Sequence, residues 1–415
     1  MKKITSCCYV KYYIGAKNVK YKKITPVRYI LTFILLLCAI LPVAIAPAPV
    51  KSATAGITLN SSVQISYPTL ITFRIQAQSS DNIIQLRLHY IVDRQNYASV
   101  VSEGWAVFNP AASVETQWVW DMRKSILPPG ANVEYWWSAL DAAGRTAMTE
   151  HYSLVFNDDR YKWQSISEGP ITLSWYSGND SFANSLMEAA QQGLTRIENN
   201  TGAVPEGKVH IYIYASAQDL QGAHLFAPQW EGGVNFTGYN VIAIGVHTSQ
   251  LEWGRRAVAH ELTHWIVNQI TFNSYGAGLP VWLEEGLATY GEGELSFDYQ
   301  YALDSAIKNN KLISVRSLSS PFSALSEEAY ISYGESNSIV TFLIENYGKD
   351  NMKKLLDVFQ KGSGYDEALQ QVYGFDQDGL DLLWRQSLDI EESFSEQSPD
   401  ISITLITGPV LSLVS

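Results

Sequence analysis

The chain has 415 residues, a length that suggests two domains. Its formal net charge is −12. Beyond residue 55 there are 20 basic and 41 acidic residues and no basic patch, so nucleic-acid binding is not expected. Its three cysteines are Cys7, Cys8 and Cys38. Everything downstream therefore lacks disulfides and thiolate metal ligands.

Residues 1–28 hold eight Lys or Arg and no acid. An apolar run follows from Tyr29 to Val50, broken by Pro42, Pro47 and Pro49. Ala53-Thr54-Ala55 then forms a small-x-small cleavage signature before Gly56. Residues 1–55 read as an export signal. The competing reading is a retained membrane anchor through residues 29–50, because Tyr29 to Ala46 spans about eighteen residues. Leu37 before Cys38 argues against a lipoprotein. The expected location is secreted or extracytoplasmic and membrane-anchored. Nine of the 29 basic residues and none of the 41 acidic ones precede Gly56, so the remainder carries −21.

Residues 56–157 read as a small all-β sandwich of immunoglobulin or fibronectin type. Residues 83–91 alternate, and 132–140 and 152–156 are strand-like. Turns fall at Pro128-Pro129-Gly130 and Ala143-Gly144. Trp105, Trp118, Trp120, Trp136 and Trp137 are expected in the core or at a domain contact, with a carbohydrate-binding face as the rival reading.

From Tyr161 the pattern changes, and residues 158–390 form the second expected domain. Strands are predicted at 171–176, 209–214 and 240–245, with an amphipathic helix at 181–199. Residues 251–270 (LEWGRRAVAHELTHWIVNQI) have no Pro and an apolar stripe of Val258, Leu262, Trp265 and Ile266 at helical spacing. Ser249 or Thr248 is expected to cap that helix. It contains His260-Glu261-Leu262-Thr263-His264. Residues four apart share a helix face, so two imidazoles there can converge on one ion. Glu261 leans beside that face, within reach of a water the ion polarises, where a general base is needed. Structural zinc sites are usually rich in Cys, so this pattern points to a catalytic metal. Gly278-Leu279-Pro280 is a turn, and residues 281–290 (VWLEEGLATY) read as a short helix. Further helices are predicted at 297–309, 335–346, 350–361 and 376–389. Strands first and helices after give an α+β pattern. Residues 391–415 read as an acidic linker and an apolar tail. His210, His224 and His247 are expected to be ordinary histidines.

HELTH followed by WLEEGLA resembles the gluzincin zinc metallopeptidases, most closely the peptidase-MA-like group with its H-E-x-x-H and W-L-x-E-G-x-A motifs. The resemblance runs from about residue 158 to 390 and implies a thermolysin-type, gluzincin-like domain behind the sandwich. It implies Zn²⁺ held by His260, His264 and Glu285, with Glu261 as base. Twenty residues separate His264 from Glu285, close to the gap in relatives. Glu284 falls where relatives often carry another polar residue. The segment Tyr330 to Ser336 resembles the Y-x-Q-S stretch of the group, with Glu335 in place of Gln. That makes Tyr333 the implied transition-state donor, and Tyr330 the fallback. The edge strand implied before the metal helix, through Gly232-Gly233-Val234-Asn235-Phe236, would pair with substrate backbone. A plain hairpin is compatible with this.

The expected function is hydrolysis of peptide or protein substrates by an exported zinc peptidase. Two rivals stand beside it. One is a surface binding protein whose peptidase domain is vestigial. The other is a zinc hydrolase of non-peptide bonds.

Overall fold

A computed structural model describes residues 56–95, 100–223, 232–236, 238–323 and 325–388. The expected export segment, the tail from 391 and His224 lie outside the described residues. No helix among the described residues is long and apolar enough to cross a membrane.

The first half is all β. Its strands are β1 (Ile57–Ser66), β2 (Leu70–Val92), β3 (Ser102–Trp105), β4 (Ala111–Asp121), β5 (Ala131–Asp141), β6 (Thr146–Met148) and β7 (Tyr152–Phe156). The sequence suggests short strands in a two-sheet sandwich. The structure instead has one antiparallel hydrogen-bonded sheet of seven strands, built on the 23-residue β2. Near the polar run Gln78–Asn82, the register of β2 shifts against both β4 and β5. Irregularities of this kind bend a strand and increase its twist. The first half of β2 pairs with β1 and β4, and the second half with β3 and β5. Ile71, Phe73 and Ile75 from the first half and Ile83, Leu86 and Leu88 from the second join a single core. Trp120 and Trp137 are buried in it, and Trp118 packs against it. Trp136 is also buried, stacked between His89 and His151. Trp105 is exposed, with the Arg87 guanidinium 4.6 Å from its ring centre.

A second sheet has the order β11-β12-β10-β9-β8. Its strands are β8 (Gln164–Glu168), β9 (Ile171–Trp175), β10 (Val209–Tyr214), β11 (Gly233–Phe236) and β12 (Val241–Gly245). The central three are parallel, and β8 and β11 run antiparallel at the edges. Strands β10 and β12 are apolar along nearly their whole length, as expected of parallel strands covered on both faces. One face packs on α1 (Asp180–Thr201) through Leu186, Ala190 and Ile197, and on the later helix that carries His260. The other face presents Tyr212 and Tyr214 to Tyr67, Tyr161, Trp163 and Tyr176, together with Leu220 of the short α2 (Ala217–Gln221). The Tyr67 hydroxyl donates to the Ala223 carbonyl at 2.7 Å, tying the first sheet to this layer.

The remaining helices are α3 (Leu251–Thr271), α4 (Val281–Glu292), α5 (Phe297–Lys308), α6 (Val315–Leu318), α7 (Ser326–Tyr347), α8 (Lys349–Gln360), α9 (Tyr365–Tyr373) and α10 (Gln377–Ser387). Neither Ser249 nor Thr248 caps α3. A 3-10 turn over Thr248–Gln250 precedes it, and the His247 side chain accepts from Ser249 N there. Trp282, Leu283 and Leu287 of α4 pack with Ile339 and Leu343 of α7 and with Trp384 of α10. Two glycines let α4 sit this close. A Cβ on Gly286 would lie 2.4 Å from the Ser336 carbonyl oxygen of α7, and one on Gly291 2.0 Å from Thr263 Oγ1 of α3.

Candidate metal centre

Helix α3 carries His260 and His264 one turn apart, flanked by buried Val258, Leu262, Trp265 and Ile266. The apolar neighbours hold the helix against the sheet, and the imidazoles come to its partly open side. They are 17% and 12% exposed. Glu285 reaches them from the first half of α4. The two Nε2 atoms stand 3.2 Å apart. Glu285 Oε2 lies 3.4 Å from His260 Nε2 and 3.6 Å from His264 Nε2. Among the described residues this is the one group of three that can hold a metal.

Those separations test whether an ion fits. Tetrahedral zinc with bonds of 2.0–2.1 Å places neighbouring ligand atoms about 3.3 Å apart. The three atoms already form a triangle of that size. Glu285 Oε2 is also buried without a hydrogen-bond donor. A buried carboxylate oxygen without a partner is costly. The donor set of two imidazoles and a carboxylate suits zinc, and the structure satisfies its spacing.

The protonation balance follows from the same geometry. Burial by itself lowers the pKa of His260, but Glu285 and Glu292 outweigh it and hold it well above 6.5. His264 is raised too, with Glu285 again overcoming burial. Burial raises Glu285, yet the two histidines carry it well below the ordinary carboxylate range. An ion must displace protons from both imidazoles, so metal affinity weakens as pH falls.

Glu292 is a residue that the sequence reading missed. Its Oε1 lies 2.8 Å from His260 Nδ1, on the ring edge away from Glu285. Arg256 Nη1 is 3.3 Å from its other oxygen and also donates to the Glu294 carbonyl. A carboxylate on the outer nitrogen of a ligating histidine fixes its tautomer and aim. The signal was available, because Glu292 follows Glu285 by seven residues, close to two turns on one face. Glu284 stands opposite His264, its Oε1 3.8 Å from Nδ1.

A cavity of about 930 Å³ opens over these groups. Glu261, His264, Glu284, Glu285, Tyr330 and Tyr333 all line it, as does β11 through Gly233, Val234 and Asn235. A Cβ on Gly233 would lie 2.9 Å from Glu261 Oε1, so the strand backbone passes directly beside that carboxylate. Tyr333 stacks on Tyr299, and its ring centre is 6.4 Å from that of His260. Burial, then the charge of Glu285, pushes its hydroxyl well above 10. Tyr333 therefore stays protonated and able to donate. Tyr330 is more exposed and lies farther out, in edge contact with Tyr299. His210 is structural: its Nε2 is 2.7 Å from Ser174 Oγ, and burial lowers its pKa to about 4.

Glu335 does not line the cavity. It is fully buried, and its oxygens accept the Ile313 backbone N–H at 3.0 and 3.2 Å.

A family model described as the Peptidase MA superfamily matches residues 189–390, a stretch that contains the whole His-His-Glu cluster. No curated protein matches the chain. Among solved structures, an aminopeptidase N family protein from Idiomarina loihiensis aligns with 80% of this chain and 71% of its own, at 9% identity and a TM-score of 0.28. The sporulation control protein Spo0M from Bacillus subtilis aligns with 33% of this chain at 8% identity and a TM-score of 0.19, and this chain covers 56% of it. Neither score reaches the level of a shared fold. The coarse class is thus a mixed α and β chain with an all-β N-terminal region and a Peptidase-MA-like helical part.

Two outcomes test this anatomy. Glu292→Ala is expected to loosen zinc about 10–100-fold, as loss of an outer carboxylate does, measured by competition with a chromogenic chelator. Unchanged affinity would remove Glu292 from the centre. Burial pushes the Glu335 carboxyl up to about 8, from 4.5 when unfolded. Its native state therefore holds the proton more tightly, and the associated stability is full below 4.5 and lost as pH rises through 8. Glu335→Gln should accordingly raise the melting temperature more at pH 9 than at pH 5. An equal shift at both would show that the carboxyl is not buried as described.

Proposed function

We propose that this chain is a zinc-dependent peptidase acting on peptide or protein substrates. The observation that carries the reading is the ligand triangle of His260, His264 and Glu285, at tetrahedral spacing, beneath a cavity that Glu261 also lines. The superfamily whose model matches is generally zinc-dependent. When bound, zinc would polarise a water and the scissile carbonyl.

The residues divide the remaining work. Glu261 takes the proton of the attacking water and passes it to the leaving amine, which a carboxylate at that position can do without ligating the metal. Tyr333 keeps its proton and donates a hydrogen bond to the oxyanion that develops on the carbonyl. Glu292 holds the His260 ring through Nδ1. Strand β11 is the outer strand of its sheet and borders the cavity. An extended substrate adds there as a further strand, giving main-chain hydrogen bonds that do not depend on side-chain identity. Export and the possibility of membrane attachment rest on the composition of residues 1–55 alone.

Glu261→Gln should keep one zinc per chain and lose about 10²–10⁴-fold in hydrolysis. Tyr333→Phe should lower kcat about 10²–10³-fold with little change in KM. A chelator should abolish activity on short peptides, and added zinc should restore it. Normal cleavage by Glu261→Gln would sink the base assignment. Zinc-loaded protein that cleaves no peptide would sink the peptidase reading.

A further inference from the structure

Three carboxylates line the cavity: Glu261, Glu284 and Glu285. No Lys or Arg is among its described lining residues. Glu285 faces both imidazoles, and Glu261 is the proposed base. Glu284 has neither role. Its Oε1 is 3.8 Å from His264 Nδ1, beyond hydrogen-bond length, and its side chain is 38% exposed. Glu292, by contrast, sits 2.8 Å from His260 Nδ1 and is 9% exposed. One carboxylate is locked onto its histidine, and the other looks into the cavity.

A second observation comes from the rest of the lining. Strand β11 contributes Gly233, Val234 and Asn235 to the same cavity, and none of them carries a charge. Val281 and Phe322 add apolar wall. Together these surfaces offer a negative charge and apolar sides, with no basic side chain among the described lining residues. That combination suits a Lys or Arg side chain, which buries an apolar stem and presents a cationic head.

We propose that Glu284 makes the cavity selective for substrates with a Lys or Arg side chain beside the scissile bond. This rests on the peptidase reading above. Glu284 contributes the charge, and Val281 and Phe322 the apolar wall for the stem of the side chain.

The test uses the zinc-loaded full chain and peptides differing at one position flanking the cleaved bond, with Lys, Gln or Glu there. Both flanks are scanned. Wild type should favour Lys over Gln by about tenfold in kcat/KM, mostly through KM. Glu284→Gln should bring that ratio to within about twofold, Glu284→Asp should keep its sign, and Glu284→Lys should turn the preference toward Glu. A wild-type ratio near one, or an unchanged ratio in Glu284→Gln, would overturn the proposal. So would a Glu284→Gln variant that loses zinc and slows equally on all three peptides, for then Glu284 only positions His264. Binding of the same peptides to zinc-loaded Glu261→Gln, followed by fluorescence anisotropy, separates the two readings. Lys-selective binding without hydrolysis by wild type sinks the peptidase reading and leaves the cationic subsite standing. Hydrolysis without selectivity sinks the subsite alone.

Discussion

Helix α4 is wedged between two others with almost no room to spare. At Gly291 it touches Thr263 of α3, and at Gly286 it touches the backbone of α7 at Ser336. Glu285 sits next to one of these pinch points, so its height over α3 is fixed by backbone contact and not by a flexible side chain. A methyl group at either glycine would push α4 away. The spacing of the proposed ligand triangle depends on this packing, because shifts of a few tenths of an ångström would spoil separations near 3.3 Å. The neighbouring apolar residues Trp282, Leu283 and Leu287 complete the wedge by anchoring α4 in the helical core.

Around that wedge the charges are arranged in two layers. Glu285 faces both Nε2 atoms, while Glu292 holds His260 from behind and is itself paired with Arg256. In the absence of an ion the arrangement stabilises protonated imidazoles, as their raised pKa values indicate. The same field favours a divalent cation, which replaces the protons. Glu285 Oε2 lies 3.4 and 3.6 Å from the two Nε2 atoms, the spacing that the proposed metal site needs. The cavity above is lined by the edge strand β11 and by Tyr333.

The sheet that supports α3 also joins the two halves of the chain. Its outer face is aromatic, and Tyr67 from the first sheet bonds to Ala223 at its margin. The N-terminal region therefore shares packing with the sheet that supports the helix of His260 and His264. The seven strands form one sheet folded through β2, and the polar residues at its bend, Gln78 to Asn82, made one long strand look like separate short ones in the sequence.

The sequence by itself determined the local pieces. The four-residue step from His260 to His264 within an apolar-striped stretch sets two imidazoles on one helix face, whatever the helix packs against. Pro280 sets where α4 begins, and the absence of Pro over 251–270 lets α3 run unbroken. Helices α2, α6 and α9 and strands β1, β3, β4, β6 and β8 were not legible, because their periodicity is short or their neighbours decide the burial. Glu292 was within reach of helical spacing, yet nothing local distinguishes it from a solvated terminal carboxylate. Only the tertiary structure decided that α4 lies against α3 closely enough for Glu285 to meet both histidines, that Glu292 rather than Glu284 grips an outer imidazole nitrogen, and that Glu335 is buried on Ile313. Each of these is a contact between residues far apart in the chain. Such contacts are fixed by the fit of side chains and backbone across helix interfaces, which no local pattern encodes.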